Sequence, residues 1–121
     1  MPWTFQQSTG KLSFNGEPVE TGYSGAATGK NNPAMQSIQN VGPIPRGSWQ
    51  IGAPHSSPHT GSFTLNLAPM VGTNTFGRSA FRIHGDSTAH PGQASDGCII
   101  MGVHTRHRIW SSGDRRLEVI Q

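Results

Sequence analysis

The chain has 121 residues, of which 32% are hydrophobic and 7% aromatic, a size that supports one small domain spanning 1–121 with one modest core. Only 12% are charged, while 16 Gly and 9 Pro punctuate the chain, which excludes a coiled coil or helical bundle and favours short strands joined by tight turns. The net charge of +3 lacks the dense basic stripe of a nucleic-acid binder, no apolar run is long enough to span a bilayer, and the single cysteine excludes a disulfide framework or a multi-thiolate zinc site.

Alternation opens the chain. Trp3 and Phe5, then Leu12 and Phe14, read as half-buried strands around a Ser8-Thr9-Gly10 break, and Asn15-Gly16 is a hairpin signal because both residues tolerate positive φ. A third strand is expected through Val19 to Tyr23. From Ser24 to Pro45 the chain is rich in Gly, Asn, Ser and Pro and reads as a long ordered loop, the kind that carries function in a compact domain. Strand character resumes at Trp49 and Ile51, breaks from Ala53 to Gly61, and returns with Phe63, Leu65 and Leu67. Another strand runs through Phe81, Arg82 and Ile83 to His84. The one helix is expected at about Val103 to Ser111, with Val103, His107 and Trp110 on one face and Gly113 ending it. Leu117, Val119 and Ile120 form a last strand. Trp3, Trp49 and Trp110 are expected in the core or at its edge, since so small a domain depends on aromatic burial.

The chemistry concentrates between Phe81 and Met101. His84 stands at a strand end, and the lone Cys98 follows fourteen residues later, directly after Gly97. An imidazole beside a thiol can take its proton during nucleophilic attack, and Gly97 would let a substrate approach and leave backbone N–H groups to face an oxyanion. Each half is weak alone, because free cysteine is among the most buried residue types. The order, histidine before cysteine, disfavours a papain-like protease.

Ile83-His84-Gly85 followed by Ser95-Asp96-Gly97-Cys98-Ile99 resembles the active-site signature of L,D-transpeptidase catalytic domains. Thr21-Gly22-Tyr23-Ser24-Gly25, Gly29-Lys30-Asn31-Asn32-Pro33, Gly42-Pro43-Ile44-Pro45-Arg46-Gly47 and Ile109-Trp110 to Gly113-Asp114 extend the resemblance over most of the chain, closest to type VI secretion L,D-transpeptidase effectors. The resemblance implies a mostly β domain, a bent sheet or sandwich with one short helix near the C-terminus. It further implies a Cys98 thioester formed on a peptidoglycan stem tetrapeptide with release of D-alanine, followed by transfer to an amine or to water. His84 would be base and then acid, oriented by the Gly85 carbonyl, with Gly97 and Cys98 N–H groups as oxyanion hole and Ser95 completing the motif. Tyr23, Ser24, Asn31 and Asn32 would line the substrate cleft. No cofactor or metal is implied. A monomer is expected, delivered by secretion machinery without a classical signal peptide into the periplasm of a target bacterium, with an immunity protein in the producer.

Two departures stand out. Many transpeptidases place a second histidine between Ser and Gly and an arginine two residues after the cysteine, where this chain has Asp96 and Ile100. Arg82, Arg46 and Lys30 are the basic residues left to grip a substrate carboxylate. His90, in His90-Pro91-Gly92, is a second candidate base, and His84 is preferred because an apolar strand holds it. Two other readings stay open: a metal hydrolase using His84, Asp86 and His90, with His104 and His107 downstream, and a small β-rich cell-wall or protein-binding module whose cysteine is inert.

Overall fold

The structure, a computed structural model, describes residues 2–121. The alternating segments form β1 (Trp3–Gln6), β2 (Lys11–Phe14) and β3 (Glu17–Thr21), an antiparallel meander turned at Asn15 and Gly16, whose φ values are +52° and +82°. The expected third strand through Tyr23 is divided. Gly22 separates β3 from a two-residue strand β4 (Tyr23–Ser24), which leaves β2 and pairs with a later strand. Only glycine fits at this crossing, because a Cβ on Gly22 would lie 1.8 Å from the Ile100 carbonyl oxygen.

The 25–46 segment is a loop with two single turns of 3-10 helix, Ala27–Gly29 and Pro33–Met35. It leads into β5 (Gly47–Ser57) and β6 (Gly61–Pro69), a long antiparallel hairpin. The expected break at Ala53 is instead a register shift between Ile51 and Pro54, after which β5 continues to Ser57. Pro54 is tolerated there because only Gly47 to Gln50 of β5 pair on the other side, leaving the distal half as an edge. β7 (Arg82–His84) pairs antiparallel with β6 and parallel with β8 (Ile99–Ile100), which in turn pairs with β4. Helix α1 (Val103–Ser111) precedes β9 (Arg116–Ile120), which runs parallel to β1 and antiparallel to β5.

The result is one nine-stranded sheet in the order β3-β2-β1-β9-β5-β6-β7-β8-β4. Its two outer strands, β3 and β4, are joined in sequence through Gly22, so the sheet curls nearly closed. The concave face is filled by Trp3, Phe5, Leu12, Ile44, Trp49, Leu65, Ile83, Ile99, Ile109 and Leu117, all fully buried. Trp49 meets Phe81 edge-on, with ring centroids 4.9 Å apart. The mostly β structure with one short helix near the C-terminus is the fold that the resemblance implies, and its short strands and tight turns are what the Gly- and Pro-rich composition favours.

The helix lies where expected, but its inward face differs. Thr105, Arg106 and Ile109 are buried, whereas Val103 is exposed, His107 stacks on the Phe63 ring at the surface, and Trp110 is half-buried beneath the Arg115 guanidinium. A polar residue turns inward because Arg106 finds carbonyl acceptors there, Met101 and Ser62 at 3.1 and 2.7 Å. Among the described residues, no helix is long and apolar enough to cross a membrane.

Candidate active site

The parallel pairing of β7 with β8 brings the histidine and cysteine segments together. Ile83 lies opposite Ile99 and His84 opposite Ile100, so Cys98, one residue earlier, stands beside Arg82. Strand periodicity of two then puts Arg82, His84 and Cys98 on the same face. Ile83 and Ile99, on the opposite face, are buried in the core and anchor both strands behind the site. The face opens into a cavity of about 290 Å³, lined by His84, Cys98, Gly97, Asp96, Arg82 and Arg78. Gln39 and Asn40 of the long loop, and His59 and Thr60 of the β5–β6 turn, complete its walls.

His84 is 95% buried, and its Nδ1 lies 2.9 Å from the Gly85 carbonyl oxygen. A carbonyl only accepts, so Nδ1 carries the proton and Nε2 keeps its lone pair. Burial pushes the His84 pKa below its ordinary 6.5, aided by the nearby Arg106 and Arg82 charges and opposed by the Gly85 hydrogen bond and by Asp86. The imidazole is therefore neutral at neutral pH. Arg106 abuts this turn closely, since a Cβ on Gly85 would meet its Nη2 at 2.8 Å.

The Cys98 thiol points its Sγ at the Ala80 carbonyl oxygen, 3.7 Å away. Ala80 itself has φ +64°, a conformation a non-glycine residue rarely adopts, at the point where its carbonyl meets the thiol. Burial raises the Cys98 pKa above its ordinary 9.0. The Arg82 backbone N–H and the Arg82 and Arg78 charges pull against that rise, and Asp96 adds to it. This differs from the depressed thiol pKa that reactive cysteines commonly show. Thiol and imidazole both rest neutral, so a nucleophilic attack from this state would require the thiol proton to be taken up as it proceeds.

Ser95 organises the turn that carries the cysteine. It is 99% buried, donates to the Cys98 carbonyl oxygen at 2.6 Å, and accepts from the N–H groups of Gly25 and Gly97 at 2.9 and 3.1 Å. The Gly97 N–H is thereby occupied, so the adjacent Cys98 N–H is the backbone donor left for an oxyanion. Gly97 has φ +130°, and a Cβ there would strike Arg78 Nη2 at 2.3 Å.

The other candidate site residues separate sharply. Arg82 lines the cavity, while Arg46 bonds Gln121 and Lys30 bonds the Gly92 carbonyl, both away from it. His90 sits on an exposed turn and does not line the cavity. Tyr23, Ser24, Asn31 and Asn32, expected to line the cleft, are spent on the frame behind it. Tyr23 Oη donates to Asp86 and accepts from the Ala94 N–H; Ser24 Oγ donates to the Gly97 carbonyl and accepts from the Ile44 N–H. Asn31 accepts from the Ser24 N–H, and Asn32 caps the Pro33–Met35 turn. Asp86 is engaged by Tyr23, Ser87 and Gly92, and among the described residues no three His, Cys, Asp or Glu side chains converge to hold a metal ion. The grouping of His84, Asp86 and His90 imagined for a metal hydrolase is not formed.

Arg78 escapes the sequence reading. It is 94% buried, lines the cavity, and donates to the carbonyls of Gln36, Pro43 and Gly42. The available signal was its isolation: it is the one Asp, Glu, Lys or Arg between Arg46 and Arg82.

Residues 19–120 match the family model of the Tlde1 domain. The chain belongs to the Tlde1 domain family. By name this is a family of type VI secretion L,D-transpeptidase effectors, and the match covers every strand of the site together with α1 and β9. No curated protein and no solved structure matches the chain. Cys98 is the one cysteine of the chain, and it is free.

Proposed function

We propose that the protein is a cysteine-dependent peptidoglycan-modifying enzyme that acts on stem tetrapeptides by L,D-transpeptidation, D-amino-acid exchange or L,D-carboxypeptidation. The observation that carries this reading is the Cys98 thiol and the Nδ1-anchored His84 imidazole on one face of one cavity, in a chain of the Tlde1 family. Cys98 Sγ adds to the carbonyl at the L-centre of the diaminopimelate residue, and His84 Nε2 takes the thiol proton. The tetrahedral intermediate collapses with cleavage of the C–N bond, and His84 returns the proton to the departing D-alanine amine. An amine or a water then attacks the thioester, with His84 as base again.

Arg82 has a guanidinium in the cavity with no side-chain hydrogen bond, which suits it to the substrate carboxylate that the missing arginine would otherwise grip. Delivery through a type VI apparatus into the periplasm of a competitor, and an immunity protein that plugs the cavity in the producer, complete the reading. The preference for His84 over His90 rests on the cavity lining.

Mass spectrometry of purified disaccharide-tetrapeptide tests it. Wild type is expected to release D-alanine or exchange it for an added D-amino acid, Cys98→Ala and His84→Ala to abolish both, and His90→Ala to retain them. An unchanged tetrapeptide with folded wild type, under donor and acceptor conditions alike, would favour a binding module. Because His84 is held below 6.5, kcat/KM is expected to stay high down to that pH and to fall only as the imidazole gains its proton below it.

A further inference from the structure

We propose that Arg78 is a charged donor of the oxyanion site, its guanidinium stabilising the negative oxygen formed when Cys98 adds to a carbonyl. This inference rests on the cysteine chemistry proposed above and adds a catalytic residue to it.

Three observations converge. The first is a shortage of backbone donors. With the Gly97 N–H bonded to Ser95 Oγ at 3.1 Å, the usual pair of adjacent amides beside the nucleophile is reduced to one. The second is position. Arg78 Nη2 lies against Gly97, so close that a Cβ there would stand 2.3 Å from it, and Arg78 and Cys98 line the same cavity.

The third is uncompensated charge. Arg78 is 94% buried, yet the one ion pair among the described residues is Arg116 with Glu118 on the surface. Three neutral carbonyls, Gln36, Pro43 and Gly42, accept from Nη1 and Nη2, and the Phe81 ring lies 5.1 Å from the guanidinium carbon. A guanidinium has five N–H donors, so one Nη2–H and the Nε–H are left without an acceptor. Burying a cation without a counter-anion is costly, and the cost falls when an anion forms beside it. The three carbonyls also hold the group in place before the reaction, which is what makes an electrostatic donor effective.

The bookkeeping of the step is simple. The Sγ–C bond forms as the carbonyl π pair moves onto oxygen, and the thiol proton passes to His84 Nε2. Arg78 transfers no proton and remains cationic throughout. When the pair returns, the C–N bond breaks and His84 protonates the leaving amine.

The test uses the full chain with two readouts: tetrapeptide turnover, and the pH midpoint for Cys98 alkylation by iodoacetamide. Arg78→Lys, which keeps a charge but not the fork of donors, is expected to lose on the order of 100-fold in kcat, the loss typical of one oxyanion donor. Arg78→Ala is expected to lose more, to move the alkylation midpoint to higher pH, and to recover part of both when guanidinium ion is added. A folded Arg78→Lys within about threefold of wild-type kcat would overturn the proposal. So would a folded Arg78→Ala with an unmoved alkylation midpoint or no response to guanidinium. Should Arg78→Ala not fold, the kcat of Arg78→Lys decides. Should wild type leave every tetrapeptide unchanged, the peptidoglycan reading fails, and the alkylation midpoint still decides whether Arg78 stabilises negative charge at Cys98.

Discussion

The two long connections that flank Cys98 are secured by opposite means. The 25–46 loop is tied from within. Arg78 takes three of its carbonyls, Gln7 Nε2 donates to the Ile44 carbonyl at 2.8 Å, and Ser24 Oγ accepts from the Ile44 N–H at 2.9 Å. Apart from the part-buried Gln36 carbonyl these groups are buried, so a lost partner leaves a polar atom that water does not readily reach. The 85–98 loop is tied by buried bonds at its Ser95–Gly97 end, to Gly25 and Ser24, but its 86–94 stretch is tied across its outer side. Tyr23 Oη donates to Asp86 at 2.6 Å and accepts from Ala94 at 2.8 Å, Asp86 also receives Ser87 and Gly92, and Lys30 reaches the Gly92 carbonyl at 2.9 Å. Asp86 and Lys30 stand in solvent, where such bonds contribute less. The 25–46 loop is therefore stiff, while the 86–94 stretch is held by contacts that open at low cost, a difference that no count of hydrogen bonds would reveal.

The largest expected break in this contrast is Arg78→Ala. Leaving three carbonyls unpaired is expected to cost about 3 kcal/mol or more, read as a fall in the denaturation midpoint, with faster amide exchange across residues 36–44 and little change in 86–94. Ser95→Ala comes next, because Ser95 joins both loops through Gly25, Gly97 and the Cys98 carbonyl. It is expected to cost about 2 kcal/mol and to speed exchange on both sides of the cavity at once.

Tyr23→Phe is a smaller change, about 1 kcal/mol, with faster exchange confined to 86–94 and that loop more open to protease. The same contact titrates. Burial and the bond to Asp86 push the Tyr23 phenol from 10.0 up to about 12. Between those values the unfolded chain loses a proton that the folded one keeps, so stability is expected to decline from pH 10 upward in wild type. Tyr23→Phe should lack that part of the decline in denaturant titrations. Lys30→Met, which removes an exposed bond and a cation 4.3 Å from the Tyr23 ring, is expected to change the midpoint least, by about 0.5 kcal/mol. If Lys30→Met instead rivals Arg78→Ala, the contrast between the stiff 25–46 loop and the loosely held 86–94 stretch is wrong.

Much of this architecture was legible before any coordinates. Alternation at Trp3, Phe5, Leu12 and Phe14, the Asn15-Gly16 turn, the helix at 103–111 and the strand ending at His84 are local patterns, each set by a few neighbouring residues. His84 and Gly97-Cys98 were legible too, as residue types that suit nucleophilic chemistry, and Gly85 and Ser95 through the resemblance to a known signature. The split at Gly22 was not, because it is dictated by the Ile100 carbonyl, nearly eighty residues away in the chain. Nor was the continuation of β5 past Ala53, which depends on β6 as a partner, or the inward Arg106, which depends on carbonyls of Ser62 and Met101.

The sequence by itself determined most of the strands and turns and singled out His84 and Cys98 as the candidate reactive pair, since these follow from periodicity, backbone freedom and chemistry carried within a few residues. Tertiary structure alone decided that β7 and β8 run parallel, which sets His84 and Cys98 in one cavity and leaves His90 outside it. It also turned Tyr23, Ser24, Asn31 and Asn32 into framework and brought Arg78 into the cavity of Cys98, against Gly97. Which polar groups end up facing a cavity depends on acceptors supplied by distant segments, and the spacing of residues along a chain carries no record of those distances.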